Sequence, residues 1–389
     1  MSLEPLVLAV SYNGKSVTYS LYKRGVCKGM AVYESGKNPT ISYGDQPIIF
    51  DKPIIDQKDF IVTLAQTWSD ITKKPLLIDI VAIKISVPGS YFLQDSFIDQ
   101  VFLDKINSII NIDNPGYQSF LDVYEPLKDN FENAKFMAIS DSGFHMTKPD
   151  YTWNYPIDLE IADTTDIKRF GYDGLSLESV LDCIKESNYH GYQKVIVCNL
   201  DNYTNVTAIL NGKSMDTSYG YTKLDGLISP SFSGAIDYSA YQAMNIATNK
   251  FNKTLNENNY GLYGISGVSA DIDEILYAEA NGNHRAGLAM SMYIYSIRQA
   301  IAKMSATLEG AEMLVFTGYI GLGYPKIRQR VVSGLGFLQF ALNSQLNNKC
   351  ISPEMVKPIH PRTRTHPIIV APANELAVVI SHSIKLAKN

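Results

Sequence analysis

Tryptophan occurs twice in 389 residues, cysteine four times and histidine six times. The cysteines, Cys27, Cys183, Cys198 and Cys350, lie far apart and form no CxxC pair. Neither a disulfide framework nor a structural zinc site is expected from them. No segment reaches about 18 uninterrupted apolar residues, so no membrane-spanning helix is expected. Met1-Ser2-Leu3-Glu4-Pro5 shows no charged stretch followed by an apolar run, and a soluble cytoplasmic protein is the expectation. Lysine and arginine number 34 against 39 acidic residues, for a net charge of −5, and they are scattered. Without a basic stripe, nucleic acid and membrane surfaces are not expected partners.

What is present points to two packed cores. Hydrophobic residues make up 46% of the chain, enough to fill two domains and too many residues for one ordinary core. Leu6-Val7-Leu8-Ala9-Val10 is an apolar run of strand length, followed by the polar turn Ser11-Tyr12-Asn13-Gly14-Lys15. Val17, Tyr19 and Leu21 then alternate with polar neighbours, as in a half-buried strand. The device returns further on. Val195-Ile196-Val197-Cys198 is a strand, Asp201-Asn202-Tyr203 a turn and Val206–Leu210 a second strand. Asn211-Gly212 is a type I′ hairpin signal. Two copies of strand–turn–strand imply a duplicated α/β domain with a cleft between the halves.

Other elements follow from pattern. Phe136–Ile139 reads as a buried strand ending at Asp141. Ser176 followed by Glu178 and the apolar Val180, Leu181 and Ile184 reads as a capped helix start. Ile294, Ile297, Ile301, Met304 and Leu308 are spaced 3, 4, 3, 4, one face of a helix from about His284 to Leu308. Met313–Phe316 reads as a strand leading into the glycine loop Gly318-Tyr319-Ile320-Gly321-Leu322-Gly323. Strand, glycine loop and helix is an arrangement that binds nucleotides. Pro367–Ala371 reads as a strand, and Asn374-Glu375 open a last helix, Leu376 to Leu386. The stretch from Ile209 to Asp237 is rich in Gly, Ser and Thr, as a phosphate-cradling loop is. It ends on Ser231-Phe232-Ser233-Gly234, with an aromatic ring where a phosphate site calls for a cation.

Several blocks in collinear order resemble the acetate kinase family, within the sugar kinase, Hsp70 and actin superfamily. Ser140-Asp141-Ser142-Gly143-Phe144-His145-Met146-Thr147-Lys148-Pro149 resembles its F-D-T-A-F-H-x-T-M-P. Gly212–Gly220 resembles G-K-S-x-D-T-S-M-G, and Tyr263–Asp271 resembles L-G-I-S-G-x-S-x-D. Gly282–Ala286 and Phe316–Gly321 are similar to its helix start and its F-T-x-G-I-G loop, and Ala373-Asn374-Glu375 to T-N-E. The resemblance covers nearly the whole chain. It implies an α/β fold of duplicated actin-like (ribonuclease H-like) domains. The first is expected over 1–150 plus 375–389, on the carboxylate side. The second is expected over 151–374, on the nucleotide side, where a homodimer forms. The implied reaction is phosphoryl transfer between ATP and a short-chain carboxylate, giving ADP and an acyl phosphate, with Mg²⁺.

Carried over position by position, the resemblance makes Asp141 the catalytic aspartate and Glu375 the metal-associated glutamate. Asn202, Lys213, Ser214, Asp271, Gly318 and Gly321 fall on the nucleotide side, with Asp216 in the same loop as Lys213. Lys84 stands where the family has a substrate-binding arginine. A lysine is a point charge and lacks the bidentate fork. Asp173 stands at the histidine that supports the transition state, Phe232 at an arginine, Asp113 at a histidine, Ser11 at an asparagine and Thr18 at a lysine. The family's H-L-G-N-G-A-S reads Asn199-Leu200-Asp201-Asn202-Tyr203-Thr204-Asn205. The cleft therefore loses two arginines and two histidines, and one donor of that kind typically supplies about 3 kcal/mol of barrier lowering. Arg362 and Arg364, before the last strand, are candidate replacements, or else part of a solvated loop.

Two functions compete: a carboxylate kinase with Lys84 and Phe232 reshaping the acid pocket, and a catalytically impaired paralogue that binds nucleotide or a protein partner. Each site residue also has a structural reading. Asp141 can cap the turn after its strand, Glu375 favours a helix start through the helix dipole, and Asp271 can cap a helix. Lys84 reads as a surface lysine, His145 as a satisfied core histidine, and the Ile294–Leu308 stripe as core or dimer interface.

Overall fold

The computed structural model describes residues 5–13, 16–34, 37–44, 46–48, 56–109, 115–248, 260–362 and 365–388. Asp113, Arg364, Gly14 and Lys15 lie outside the described residues. The chain divides into two compact units, one of Met1–Val87, Tyr91–Gly143 and Asn374–Asn389, the other of Pro88–Ser90 and Phe144–Ala373.

In the first unit the strands are β1 (Leu6–Asn13), β2 (Ser16–Lys23), β3 (Val26–Glu34), β4 (Thr40–Tyr43), β5 (Gln46–Ile48), β6 (Ile80–Ile85), β7 (Ser96–Phe97) and β8 (Lys135–Ser140). They form one sheet in the order β5-β4-β3-β2-β1-β6-β8-β7. β1 pairs antiparallel with β2 and parallel with β6, and β6 runs parallel to β8. All six residues of β6 are buried, as expected of a parallel strand covered on both faces. The helix Glu375–Leu386 packs on β1, β6 and β8. Asn374 opens it by accepting from the Ala377 amide at 3.1 Å, satisfying one of the orphan donors of the first turn.

The second unit carries β9 (Lys194–Leu200), β10 (Thr204–Leu210), β11 (Lys213–Thr217), β12 (Met313–Thr317), β13 (Lys357–Pro358) and β14 (Ile368–Val370). Their order is β11-β10-β9-β12-β14-β13. β9 pairs antiparallel with β10 and parallel with β12, which runs parallel to β14. Reading outward from the first strand of each unit, the order β3-β2-β1-β6-β8 repeats as β11-β10-β9-β12-β14, with the same strand directions. The duplication seen in the sequence is a duplication of sheet topology.

Local chemistry accounts for the elements of the second unit. Asn211 and Gly212 have φ of 52° and 75°, the two left-handed residues that a type I′ turn needs between β10 and β11. The long helix is His284–Thr307, capped by Asn283, which accepts from the Ala286 amide. Its stripe, Ile294, Ile297, Ile301, Met304 and Leu308, is buried in the core of this unit with Cys198, Phe316 and Ile368. Two expectations need correction. The helix assigned to begin at Ser176 begins at Gly174; Asp173 holds the N-cap position in the left-handed region, φ 64°, and its side chain caps nothing. The glycine loop after β12 is itself a short helix, Gly318–Gly323. A helix that short leaves no periodic signature in sequence.

Candidate active site

In the first unit, the C-terminal ends of neighbouring parallel strands bring three ionisable side chains onto one region of the fold. Open α/β sheets place their ligands at such ends. Lys84 is the fifth residue of β6, paired in register with Ile139 of β8. Asp141 follows β8 directly, its amide donating to Ile85 O at 3.0 Å. Its carboxylate is fully buried and accepts a 2.6 Å hydrogen bond from Ser86 Oγ. The Ser86 amide in turn donates to the Tyr12 hydroxyl oxygen at 3.3 Å.

Lys84 is not a surface residue. Its side chain is only 3% exposed, and its ammonium lies 3.0 Å from Glu375 Oε1 and 3.2 Å from Oε2. Burial of the lysine stem beside β8 follows from a strand covered on both faces, and Glu375 supplies the anion that such burial demands. Ser11 Oγ also donates to Glu375 Oε1. Glu375 is the first residue of its helix, where the dipole favours a carboxylate.

Among the described residues no group of three or more His, Cys, Asp or Glu side chains could cage a metal ion. The donors present are hard carboxylate oxygens, Asp141 and Glu375, one of them already engaged by an ammonium. That set does not fit a resident all-protein metal centre. It does fit Mg²⁺ held chiefly by the oxygens of a polyphosphate, which uses only one or two protein carboxylates.

The second unit gathers a different cluster, at the C-terminal ends of β9 and β12. Asp173 Oδ1 pairs with Lys223 Nζ at 2.8 Å, and its Oδ2 accepts from Asn199 Nδ2 at 3.1 Å. The pair is 9% and 13% exposed. The Lys223 ammonium stands 5.3 Å from the ring centre of Tyr203 and 5.8 Å from that of Tyr172. Tyr203 stacks on Phe232, centroids 4.3 Å apart and planes at 23°. Burial pushes the Tyr203 hydroxyl up to about 12, with Lys223 opposing. Phe232 is thus buried against an aromatic partner.

The nucleotide-side residues occupy varied settings. Gly318 adopts φ 76°, and a Cβ there would meet Asn199 Oδ1 at 2.5 Å and Leu200 O at 2.6 Å. Gly321 is buried, and its carbonyl accepts from Arg328 Nη1 at 2.7 Å. Arg328 is wholly buried and also holds Leu322 O, Asn347 Oδ1, Asn347 O and Cys350 O. One guanidinium therefore caps the C-terminal ends of two short helices, Gly318–Gly323 and Ser344–Lys349. Its burial lowers its pKa to about 10.

Asn202 and Lys213 are exposed. Ser214 is fully buried, its hydroxyl 2.8 Å from His145 Nδ1. His145 Nε2 lies 2.9 Å from Tyr172 O; a carbonyl only accepts, so Nε2 carries the proton and Nδ1 accepts from Ser214. His145 is a satisfied core histidine. Asp216 pairs with Lys303 at 3.1 Å. Asp271 caps the helix Ile272–Ala280, accepting from the Asp273 and Glu274 amides. Arg362 is exposed.

Sequence reasoning passed over Lys223, Ser86 and Arg328. Ser86 lies two residues after Lys84, in the stretch that resembles the family's substrate-arginine motif, but nothing in sequence reports its bond to Asp141. Arg328 lies outside every resembling stretch. Lys223 lies inside the Gly/Ser/Thr-rich stretch itself, and a search there for a cation near Phe232 would have found it.

A duplicated sheet of this order, with polar residues at the ends of its parallel strands, defines an α/β protein of the duplicated actin-like fold. The Acetokinase family matches residues 14–381, and the chain belongs to that family. The acetate kinase of Thermoanaerobacterium thermosaccharolyticum is 29% identical over 400 residues, covering 98% of this chain and 99% of that protein. The acetate kinase of Trichormus variabilis is 31% identical, covering 73% of this chain and 71% of that protein. The crystal structure of a propionate kinase from Francisella tularensis superposes with a TM-score of 0.85 at 25% identity, over 97% of this chain and 98% of the other. No helix among the described residues is long and apolar enough to cross a membrane.

Proposed function

We propose that the chain is a carboxylate kinase that moves the γ-phosphoryl group of ATP onto a short-chain carboxylate. A carboxylate oxygen attacks the γ-phosphorus, the bond to the β,γ-bridging oxygen breaks, and ADP leaves with an acyl phosphate as the other product. The relatives named acetate and propionate kinases support acids of two or three carbons. The observation that carries the reading is the buried Asp141 beside strand β6, whose Lys84 ammonium is held by Glu375.

In this reading residues 1–150 with 375–389 serve the carboxylate and 151–374 the nucleotide. Lys84 offsets the charge of the acid, sharing its protons between substrate and Glu375. Asp141, kept in place by Ser86, orients the reacting groups. Asn202, Lys213, Asp271, Gly318 and Gly321 border the nucleotide, with Ser214 bracing that loop from the core side through His145. Phe232 lends an apolar wall. Mg²⁺ carried with the nucleotide would supply charge neutralisation, with Glu375, shared with Lys84, the protein carboxylate that would hold it. Transfer of this kind rests on positioning and on charges aimed at the phosphoryl oxygens.

The test is hydroxamate trapping of acyl phosphate from Mg-ATP and a panel of short carboxylates. Product is expected, with Asp141→Asn reducing the rate by about 100-fold or more. No product with any acid, beside an active relative, would end the kinase reading. A second reading is a slow or silent paralogue that binds nucleotide or a protein partner; the stack of Phe232 on Tyr203 and the aspartate at position 173 favour it. ADP binding by calorimetry without acyl phosphate formation would support it. We also propose a homodimer formed through the second unit, where Leu288, Met292 and Tyr295 stand exposed on the helix His284–Thr307. Light scattering at monomer mass would refute the dimer.

A further inference from the structure

A phosphoryl site needs a cation close to the chain's phosphate loop, and in the second unit Lys223 stands over the ring of Tyr203 in the turn between β9 and β10. Arg328 is committed to five carbonyl oxygens. Arg285 is bound to the Ile265 and Gly264 carbonyls, and Arg298 to those of Val331 and Arg330. Arg330 forks onto Glu279, and Arg169 pairs with Asp225. Lys223 alone among these cations lies over a residue of the turn between β9 and β10, the ring of Tyr203.

We propose that Lys223 is the anion-binding cation of the second unit, with Asp173 as its positioning residue. The inference rests on the kinase reading for its catalytic consequence, but not for anion binding itself. Four features converge on it. The Lys223 side chain is only 13% exposed, so its charge is less screened than a surface lysine's. Its ammonium stands over two aromatic rings, 5.8 Å from the centre of Tyr172 and 5.3 Å from that of Tyr203. Asp173 is itself anchored twice, by Asn199 through its second oxygen and by the left-handed backbone at the helix start. Asn199 is the residue whose Oδ1 Gly318 approaches too closely for any Cβ, so the lysine's support touches the glycine turn directly.

The stack of Phe232 on Tyr203 then has a purpose. It fixes the ring beneath the ammonium, so the lysine charge is held by packing rather than by a second acid. Asp173 is the anion that occupies Lys223 in the absence of ligand. A polyphosphate takes over as counter-anion, and the carboxylate falls back on Asn199. The specificity that follows is for condensed phosphate, with several anionic oxygens, over a single carboxylate, which could not displace Asp173.

The experiment is calorimetric titration of the full chain with sodium pyrophosphate in about 0.1 M salt, where surface charges are screened beyond about 10 Å, beside the hydroxamate assay. Lys223→Met is expected to weaken pyrophosphate binding by at least about tenfold. In the assay it is expected to lower kcat by about 100-fold, with KM for the carboxylate changed less than about threefold. Lys223→Arg, which keeps the charge, is expected to recover kcat to within about tenfold of the starting protein. Asp173→Asn removes the competing anion and is expected to tighten pyrophosphate binding while lowering kcat. These opposite signs are what a structural role alone would not produce.

Unchanged pyrophosphate binding in Lys223→Met, no pyrophosphate binding by the starting protein, or binding that weakens in both variants, would overturn the assignment. If the starting protein binds pyrophosphate through Lys223 but makes no acyl phosphate, the kinase reading fails and the anion site stands. If it makes acyl phosphate and Lys223→Met keeps both its rate and its pyrophosphate affinity, the kinase reading stands and the anion site falls. Should Lys223→Met fold poorly, the opposite shifts of Lys223→Arg and Asp173→Asn decide the matter.

Discussion

Lys84 and Glu375, 291 residues apart in the chain, meet with the ammonium 3.0 Å from Oε1 and 3.2 Å from Oε2. The pair ties strand β6 to the first turn of the last helix. Removing one partner leaves a buried charge alone, which typically costs about 3–5 kcal/mol, whereas replacing both by apolar side chains costs far less. Lys84→Met should therefore lower the urea midpoint sharply, and Lys84→Met with Glu375→Met should recover at least half of the loss. Equal instability of single and double mutants would show that packing of the lysine stem, not charge pairing, is what holds the helix.

Arg328 makes a second prediction. Its five hydrogen bonds run to carbonyls and one amide oxygen, with no carboxylate among them. Arg328→Met leaves those acceptors buried and unserved, at about 1–3 kcal/mol for each group that finds no other donor. Both short helices should loosen, since two of the lost bonds end in Gly318–Gly323 and three at Ser344–Lys349 and its C-cap Cys350. The expected result is a large drop in unfolding free energy, with ADP binding weakened by more than tenfold at temperatures where the protein remains folded. ADP binding at full strength in the folded variant would mean that Arg328 holds only the Ser344–Lys349 side.

How much of this was open to sequence reasoning depended on distance along the chain. The strand–turn–strand repeat is local, and it foretold the duplicated sheets. The 3-4 spacing of Ile294 to Leu308 is local too, and the helix His284–Thr307 lies where that spacing places it. Lys223 and Asp173 are 50 residues apart, and Lys84 and Glu375 are 291 apart. No periodicity reports such pairings, so Lys84 read as a surface lysine. The start of the helix at Gly174 was hidden because Asp173 spends its carboxylate on Lys223 and Asn199 instead of capping. The family resemblance located the site residues by position, but it carried no information on which of them now hold one another.

Two glycines in the same short helix should behave oppositely. Gly318 has φ 76°, and a Cβ would stand 2.5–2.6 Å from Asn199 Oδ1 and the Leu200 carbonyl. Gly318→Ala combines a left-handed backbone with a clash against main chain, and a loss of about 1–3 kcal/mol is expected. At Gly321 the nearest atoms lie 3.6–3.7 Å from the added Cβ, ordinary contact. Gly321→Ala should be neutral or stabilising by up to about 1 kcal/mol, since alanine is the better helix former. Urea unfolding of the two variants side by side checks the contrast, and equal losses would contradict it.

The last prediction concerns pH. Lys148, 7% exposed, stands 4.8 Å from the Trp153 ring centre and donates to the Arg169 carbonyl. Burial lowers its pKa to about 7; Asp216 pulls it back up, while Arg169 and Lys303 push it further down. In the unfolded chain the amine keeps its ordinary pKa near 10.4. Below pH about 7 both states are protonated, and the folded protein bears the full cost of a buried charge. Between about 7 and about 10 the unfolded state holds a proton that the folded state has lost, so stability rises with pH through this group. Lys148→Met places methionine where the family motif has it and abolishes that slope. The variant should gain most over the starting protein at pH 6, and the gain should shrink by about 2 kcal/mol by pH 9. Urea unfolding at the two pH values measures it. A gain that is the same at both would mean that Lys148 stays charged in the folded protein, with Asp216 and the Trp153 face sufficient to hold its proton.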